Sequence, residues 1–172
     1  MVECEISKDK INNILMKILY YIAHFLRDQY LLEDFSIRGN DDYYAVDESK
    51  SVNLNNRLLW AIEIIHTSTK KIRLEVTFER RWWKIKKIIT KHVATGNCIV
   101  TDAWAGYRWI DYHGSGYVHA VHNHGHGQES ASYIEQVWSQ LKSIIKNLYY
   151  SIQNSHFILF LREAEFRRNI NS

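Results

Sequence analysis

Tyr43-Tyr44-Ala45-Val46-Asp47 follows directly on the polar turn Arg38-Gly39-Asn40-Asp41-Asp42. Aromatic and branched side chains suit a pleated, half-buried surface, so the run predicts a strand that delivers Asp47 at or near its end. Two more strands are expected downstream, Arg57 to Ile65 and Lys71 to Phe78, separated by the turn-like His66-Thr67-Ser68-Thr69. Three strands in succession suggest an antiparallel meander. From Arg80 to Val93 the spacing becomes helical: Ile85, Ile88, Ile89 and Val93 fall on one face, and Arg80, Lys84, Lys87 and Lys91 on the other. Gly96-Asn97 ends that helix. Cys98-Ile99-Val100-Thr101 then reads as a short buried strand that stops on Asp102.

Ala103 to Ile110 suggests one or two helical turns, Tyr117 to Val121 a last strand, and Ala131 to Leu148 and Ser155 to Asn169 two closing helices. Ahead of the strands, Ile11, Ile14, Leu15, Ile18, Ile22, Phe25 and Leu26 recur at three and four, the mark of an amphipathic helix packed on the main domain. Three strands, helix, strand, short helix, strand and helices is the order of the ribonuclease-H-like fold, an α/β domain with a mixed sheet flanked by helices. Residues 1–40 are expected to be an N-terminal helical segment and 41–172 the domain proper.

At 172 residues, 46% hydrophobic and 24% charged, the chain suits one globular domain. Cys4 and Cys98 form no CxxC pair, which argues against a disulfide framework or a cysteine-built zinc site. The apolar stretch Ile18 to Leu26 is too short to cross a bilayer. A soluble intracellular protein with no membrane partner is therefore expected, nuclear in a eukaryote and cytoplasmic in a bacterium. A net charge of +3 is too mild to prove nucleic-acid binding.

Phosphodiester chemistry with two magnesium or manganese ions needs carboxylates from separate elements to converge, since hard cations take oxygen ligands and the ions lie about 3.5–4 Å apart. The element order supplies such a set. Asp47 lies on the first strand, Asp102 ends the fourth, which neighbours the first in this fold, and Glu135 opens a long helix. Ile134, Val137, Trp138, Leu141 and Ile145 form the buried stripe of that helix, with Glu135 on its rim and Lys142 two turns along the same face. Taken singly, each has an ordinary explanation: Asp after a strand is a common turn former or cap, Glu at a helix start favours the dipole, and Lys142 alone is a solvated lysine.

Longer motifs surround these acids. Tyr44 to Lys50, YAVDESK, resembles the "V-x-I-D-E-S-K" segment around the first aspartate of Merlin-type transposases and their bacterial ISXO-like insertion-sequence relatives. Asn97 to Tyr107, NCIVTDAWAGY, is similar to the family's "I-x-(S/T)-D-x-W-x-x-Y". Tyr117 to His124, YVHAVHNH, resembles "Y-x-H-x-x-V-N-H", and Ile134 to Lys142, IEQVWSQLK, resembles "I-E-x-x-W-x-x-L-K". Leu161-Arg162-Glu163 and Phe166-Arg167-Arg168 are similar to its closing "L-x-E-F-x-W-R-R".

The resemblance implies a DDE-type transposase in which Asp47, Asp102 and Glu135 bind two Mg2+ or Mn2+ ions, with Lys142 as basic companion. It further implies double-stranded DNA, transposon ends and target, as partner, and a homo-oligomer when active. Two departures stand out. Ser130-Ala131-Ser132-Tyr133 occupies the place of a His-Thr-Asn segment, and Ser51-Val52-Asn53-Leu54 lacks the usual aromatic and basic residues. No room is expected ahead of the domain for the zinc-ribbon or helix-turn-helix module that family members often carry. The alternative these features leave open is a truncated or recruited, catalytically inactive DNA-binding or interaction module.

Arg80, Lys84, Lys87 and Lys91 are candidates to track a phosphate backbone, against the plain alternative of a solvated helix face. Trp104 and Tyr107, just beyond Asp102, and His124 are candidates to touch a DNA end. His122-x-His124-x-His126 invites a zinc reading, but alternating loop histidines need not converge on an ion.

Overall fold

The structure, a computed structural model, describes residues 7–26, 43–54, 56–122, 136–137, 139–140, 143 and 156–171. β1 (Tyr43–Leu54), β2 (Arg57–His66), β3 (Ile72–Thr77), β4 (Cys98–Thr101) and β5 (Val118–Val121) form one sheet in the order β3-β2-β1-β4-β5. β1 to β3 are an antiparallel meander, while β4 and β5 join parallel to β1. This mixed sheet, with helices on its faces, has the ribonuclease-H-like architecture that the element order predicts.

β1 is central, and Tyr44, Ala45 and Val46 are buried in succession because both of its faces are covered. Tyr44 and Val46 point to the layer of α2 (Trp82–His92), where Ile85, Ile89 and Val93 complete a core with Ile62, Ile64 and Ile99. Ala45 points the other way, to a second core of Leu59, Ile65, Leu74, Val137 and residues of α3 (Phe157–Ile170). Val137 belongs to a helical stretch of which residues 136, 137, 139, 140 and 143 are described. A 3-10 helix, Ala105–Asp111, sends Tyr107, Trp109 and Ile110 into the α2-side core.

Three expectations need correction. β1 does not stop near Asp47 but continues to Leu54 through an irregularity between Lys50 and Val52, because β2 extends beside it. α2 begins at Trp82 rather than Arg80, whose side chain is engaged elsewhere. The N-terminal helix α1 (Lys8–Tyr21), capped by Ser7 and continued by a π-helical turn to Leu26, does pack against α3. It buries Leu19, however, and leaves Ile11, Ile14 and Ile18 about half exposed, so the contact line runs beside the expected stripe. No helix among the described residues is long and apolar enough to cross a membrane.

Candidate active site

The parallel register Tyr43↔Cys98, Tyr44↔Ile99, Ala45↔Val100 carries Asp47 and Asp102 each two residues past the last of these pairs, at the same level of adjacent strands. Neighbouring strands lie about 4.8 Å apart, so the topology makes these two acids neighbours. Both are half-buried. Asp47 Oδ1 accepts the backbone N–H of Glu48 at 2.8 Å, and Asp102 Oδ1 accepts that of Trp104 at 2.9 Å, a turn that closes the end of β4.

Strand alternation puts Asp47 on the face of Ala45, over which Val137 and α3 pack. Glu135, Lys142 and His124 lie outside the described residues. Among the described residues no group of three or more His, Cys, Asp or Glu side chains is arranged to hold a metal ion. Asp47 and Asp102 do fit one half of such a site, as hard oxygen donors carried at one level of adjacent strands.

Two acids that spacing does not single out frame this pair. Glu63 is the direct cross-strand partner of Asp47, fully buried, and neither of its oxygens has a hydrogen-bond partner among the described residues. Burial first, and then the Asp47 charge, push its carboxyl well above the usual carboxylate range, with Arg168 opposing. A signal for it exists in the sequence: it is the one charge in the apolar run Leu58-Leu59-Trp60-Ala61-Ile62-Glu63-Ile64-Ile65.

Glu48 points to the opposite face from Asp47. Its Oε1 accepts from Arg80 Nε at 2.7 Å and also from Arg80 Nη2, and its Oε2 accepts the Tyr107 hydroxyl. Burial raises the Glu48 pKa, while the bonds from Tyr107 and Arg80 oppose that rise. The Arg80 guanidinium lies over both the Trp60 ring, at 5.0 Å, and the Trp104 ring, at 4.2 Å. Tyr107 is 1% exposed. Burial and the Glu48 charge push its hydroxyl well above the usual phenol range.

The basic stripe is thus divided. Arg80 turns inward; Lys91 Nζ pairs with Glu75 at 3.3 Å; Lys84 lies over the Trp83 ring at 4.6 Å; Lys87 is exposed. The His119 ring sits between Thr101 Oγ1 at 2.9 Å and Asp111 Oδ1 at 2.6 Å, and the backbone N–H of His122 donates to the Thr101 carbonyl at 2.7 Å. Both histidines therefore brace the end of β4.

The ribonuclease-H-like fold is one shared with transposase- and integrase-like polynucleotidyl-transfer domains. Within it, the chain belongs to the ISXO2-like transposase domain family, whose sequence profile matches residues 39–169. No curated protein matches it in sequence. In three dimensions it is similar to a chain of the simian T-cell lymphotropic virus intasome in complex with PP2A regulatory subunit B56 gamma, with TM-score 0.55 and 13% identity. That match covers 72% of this chain and 46% of the other, so the chain spans less than half the length of that relative. The catalytic core domain of BIV integrase gives TM-score 0.51 and 12% identity over 70% of this chain and 79% of the other. The HTLV-2 integrase catalytic core domain in complex with magnesium gives 0.52 and 9% over 72% and 83%. At these identities the likeness is one of fold.

Proposed function

We propose that the chain is the catalytic domain of a DDE-type, Merlin-like transposase that nicks and joins DNA strands at transposon ends. The observation that carries this reading is the alignment of Asp47 and Asp102 at one level of the parallel strands, in a domain of the ISXO2-like family. Asp47, Asp102 and Glu135 would hold two Mg2+ or Mn2+ ions, which supply activation of the attacking oxygen and charge stabilisation at the phosphate. Glu135 enters this reading through the segment Ile134 to Lys142, IEQVWSQLK, which resembles the family's "I-E-x-x-W-x-x-L-K".

The chain's own groups have distinct tasks. The two aspartates present oxygens to cations, and Trp104 N–H fixes the rotamer of Asp102. Lys84, Lys87 and Lys91 on α2, with Lys142 and His124, are assigned to the DNA backbone and the Trp104 ring to the DNA end. Arg80 and Tyr107 act from inside, through Glu48. Synapsis of two ends makes a homo-oligomer the working form.

The test is strand cleavage and joining by the purified chain on duplex DNA carrying the inverted repeats that flank its gene, with Mg2+ or Mn2+. Asp102→Asn should abolish turnover and leave the melting temperature within a few degrees; undiminished turnover in this variant would refute the assignment. The departure at Ser130-Ala131-Ser132-Tyr133 favours one other reading, DNA binding without strand chemistry. It predicts salt-dependent binding to the same duplex, unaffected by loss of Asp47, and no cleavage by the wild-type chain.

A further inference from the structure

We infer that Glu48 is a positioning residue that holds the second acid, Asp102, in place beside Asp47, acting through Arg80 and Tyr107. The inference rests on the transposase reading for its purpose, and on geometry for the clamp itself.

The need for a clamp follows from the topology. β4 ends at Thr101, one residue before Asp102, so ladder hydrogen bonds stop where the carboxylate begins. A two-ion site tolerates displacements of only about 0.5 Å in its ligands. Some other structure must tie the segment after Asp102 to β1.

Glu48 supplies two ties from the residue next to Asp47. One passes from its Oε2 to the hydroxyl of Tyr107, in the 3-10 helix that follows Asp102. The other passes from its Oε1 to Arg80, whose guanidinium lies 4.2 Å from the centre of the Trp104 ring, and Trp104 N–H in turn holds Asp102 Oδ1 at 2.9 Å. The path from Asp47 to Asp102 is thereby closed through side chains on the face opposite to Asp47.

Several features suit this task and not that of a metal ligand. The Glu48 side chain is 1% exposed, and both of its oxygens are occupied by protein donors. Charge-assisted bonds from a fork-shaped guanidinium and a phenol are directional, so they set position as well as energy. Trp104 meets Tyr107 edge to face at 5.3 Å, and a Cβ at Gly106 would overlap the Trp104 ring, so the turn after Asp102 is fitted to this packing.

The test uses the whole chain, with three readouts. In Glu48→Ala, amide hydrogen exchange over residues 102–111 should accelerate about tenfold or more, while residues 57–66 stay within about twofold of wild type. Mn2+ affinity, measured by calorimetry without DNA, should fall about 10–100-fold, as it does when groups behind a metal ligand are removed. Cleavage should lose kcat with KM for the duplex little changed, and Glu48→Gln, which keeps the shape and can still accept from Tyr107, should recover part of it. Should Glu48→Ala not fold, Tyr107→Phe removes one hydroxyl only and should show the same pattern more weakly.

Unchanged exchange over 102–111 in a folded variant overturns the clamp. Faster exchange with unchanged Mn2+ affinity and cleavage overturns the positioning role and leaves a purely structural tie. Wild-type protein that binds Mn2+ no better than Asp47→Asn and cuts no DNA sinks the transposase reading itself, a result that the exchange data keep separate from the clamp.

Discussion

Asn169, near the end of α3, pairs with the backbone of Ile72 as a strand would: its Oδ1 accepts the Ile72 N–H at 2.8 Å and its Nδ2 donates to the Ile72 carbonyl at 2.9 Å. β3 is an edge strand of the described sheet, so its outward N–H and C=O groups face away from any neighbouring strand there. One turn earlier, Glu165 Oε2 accepts the Leu74 N–H at 3.3 Å. α3 thus closes the sheet edge with polar side chains while Phe157, Leu161 and Ala164 pack on the sheet face.

Asn169→Leu leaves the Ile72 groups buried and unpaired, and each such group costs about 1–3 kcal/mol. Chemical denaturation should show a loss of at least about 2 kcal/mol, and Asn169→Asp, which keeps the acceptor and loses the donor, should fall between the two. A loss below about 0.5 kcal/mol for Asn169→Leu would mean that water replaces the amide.

The same helix is fastened by a charge network. Arg162 bridges Glu75 at 2.7 Å and Glu165 at 3.3 Å; Arg73 reaches Glu165 at 3.2 Å; Glu75 also meets His92 Nε2 at 2.7 Å and Lys91 at 3.3 Å. Arg73 Nε donates to His92 Nδ1 at 3.4 Å, so the imidazole is neutral, with its proton on Nε2 facing Glu75. Burial holds its pKa below the usual 6.5; Arg73 and Lys91 add to this, and Glu75 opposes. A depressed pKa contributes stability that is present above about 6.5 and lost as pH falls through the folded value. The melting temperature of wild type relative to His92→Gln should therefore be highest at pH 7.5 and decline toward pH 5. A difference independent of pH would show that His92 does not titrate against this network.

Gly106 faces the ring of Trp104 with no room for a Cβ. Gly106→Ala must push the indole off Arg80 and disturb the turn that holds Asp102. Overpacking of this kind costs about 1–3 kcal/mol. Thermal melts should register that loss, and the near-ultraviolet circular dichroism of the tryptophans should change. Wild-type stability and spectrum together would show that the turn yields freely.

Glu63 has the opposite character, since the fold tolerates it at a cost. A fully buried carboxyl with no hydrogen-bond partner among the described residues destabilises by about 1–3 kcal/mol. Glu63→Leu, in denaturation at pH 7.5, should therefore be more stable than wild type by roughly that amount. A less stable variant would show that the carboxylate is compensated, with Arg168 the charge that opposes its raised pKa.

Much of the fold was legible from local chemistry. Cys98 to Thr101 is a short apolar run bounded by a Gly-Asn turn and an aspartate, and it forms β4 over those same residues. The closing helix and strands β2 and β3 also fall within one or two residues of expectation, because apolar periodicity reports which face of an element meets a core, whereas β1 runs well past Asp47 to Leu54. Of the site, the adjacency of Asp47 and Asp102 was implied once strand order was known. Arg80 was not legible: its spacing from Lys84 and Lys87 suits a helix face, yet its charge is claimed by Glu48, 32 residues earlier in the chain.

By itself, then, the chain determined its elements, their order, its family motifs and the two strands that carry acids, since each depends on side chains a few positions apart. Only the tertiary structure decided that Glu48 and Tyr107 face each other, that Glu63 is sealed beside Asp47, and that the stripe on α1 misses its contact line. Those outcomes are set by which distant groups share a dry interior, where pairing and desolvation outweigh any local preference.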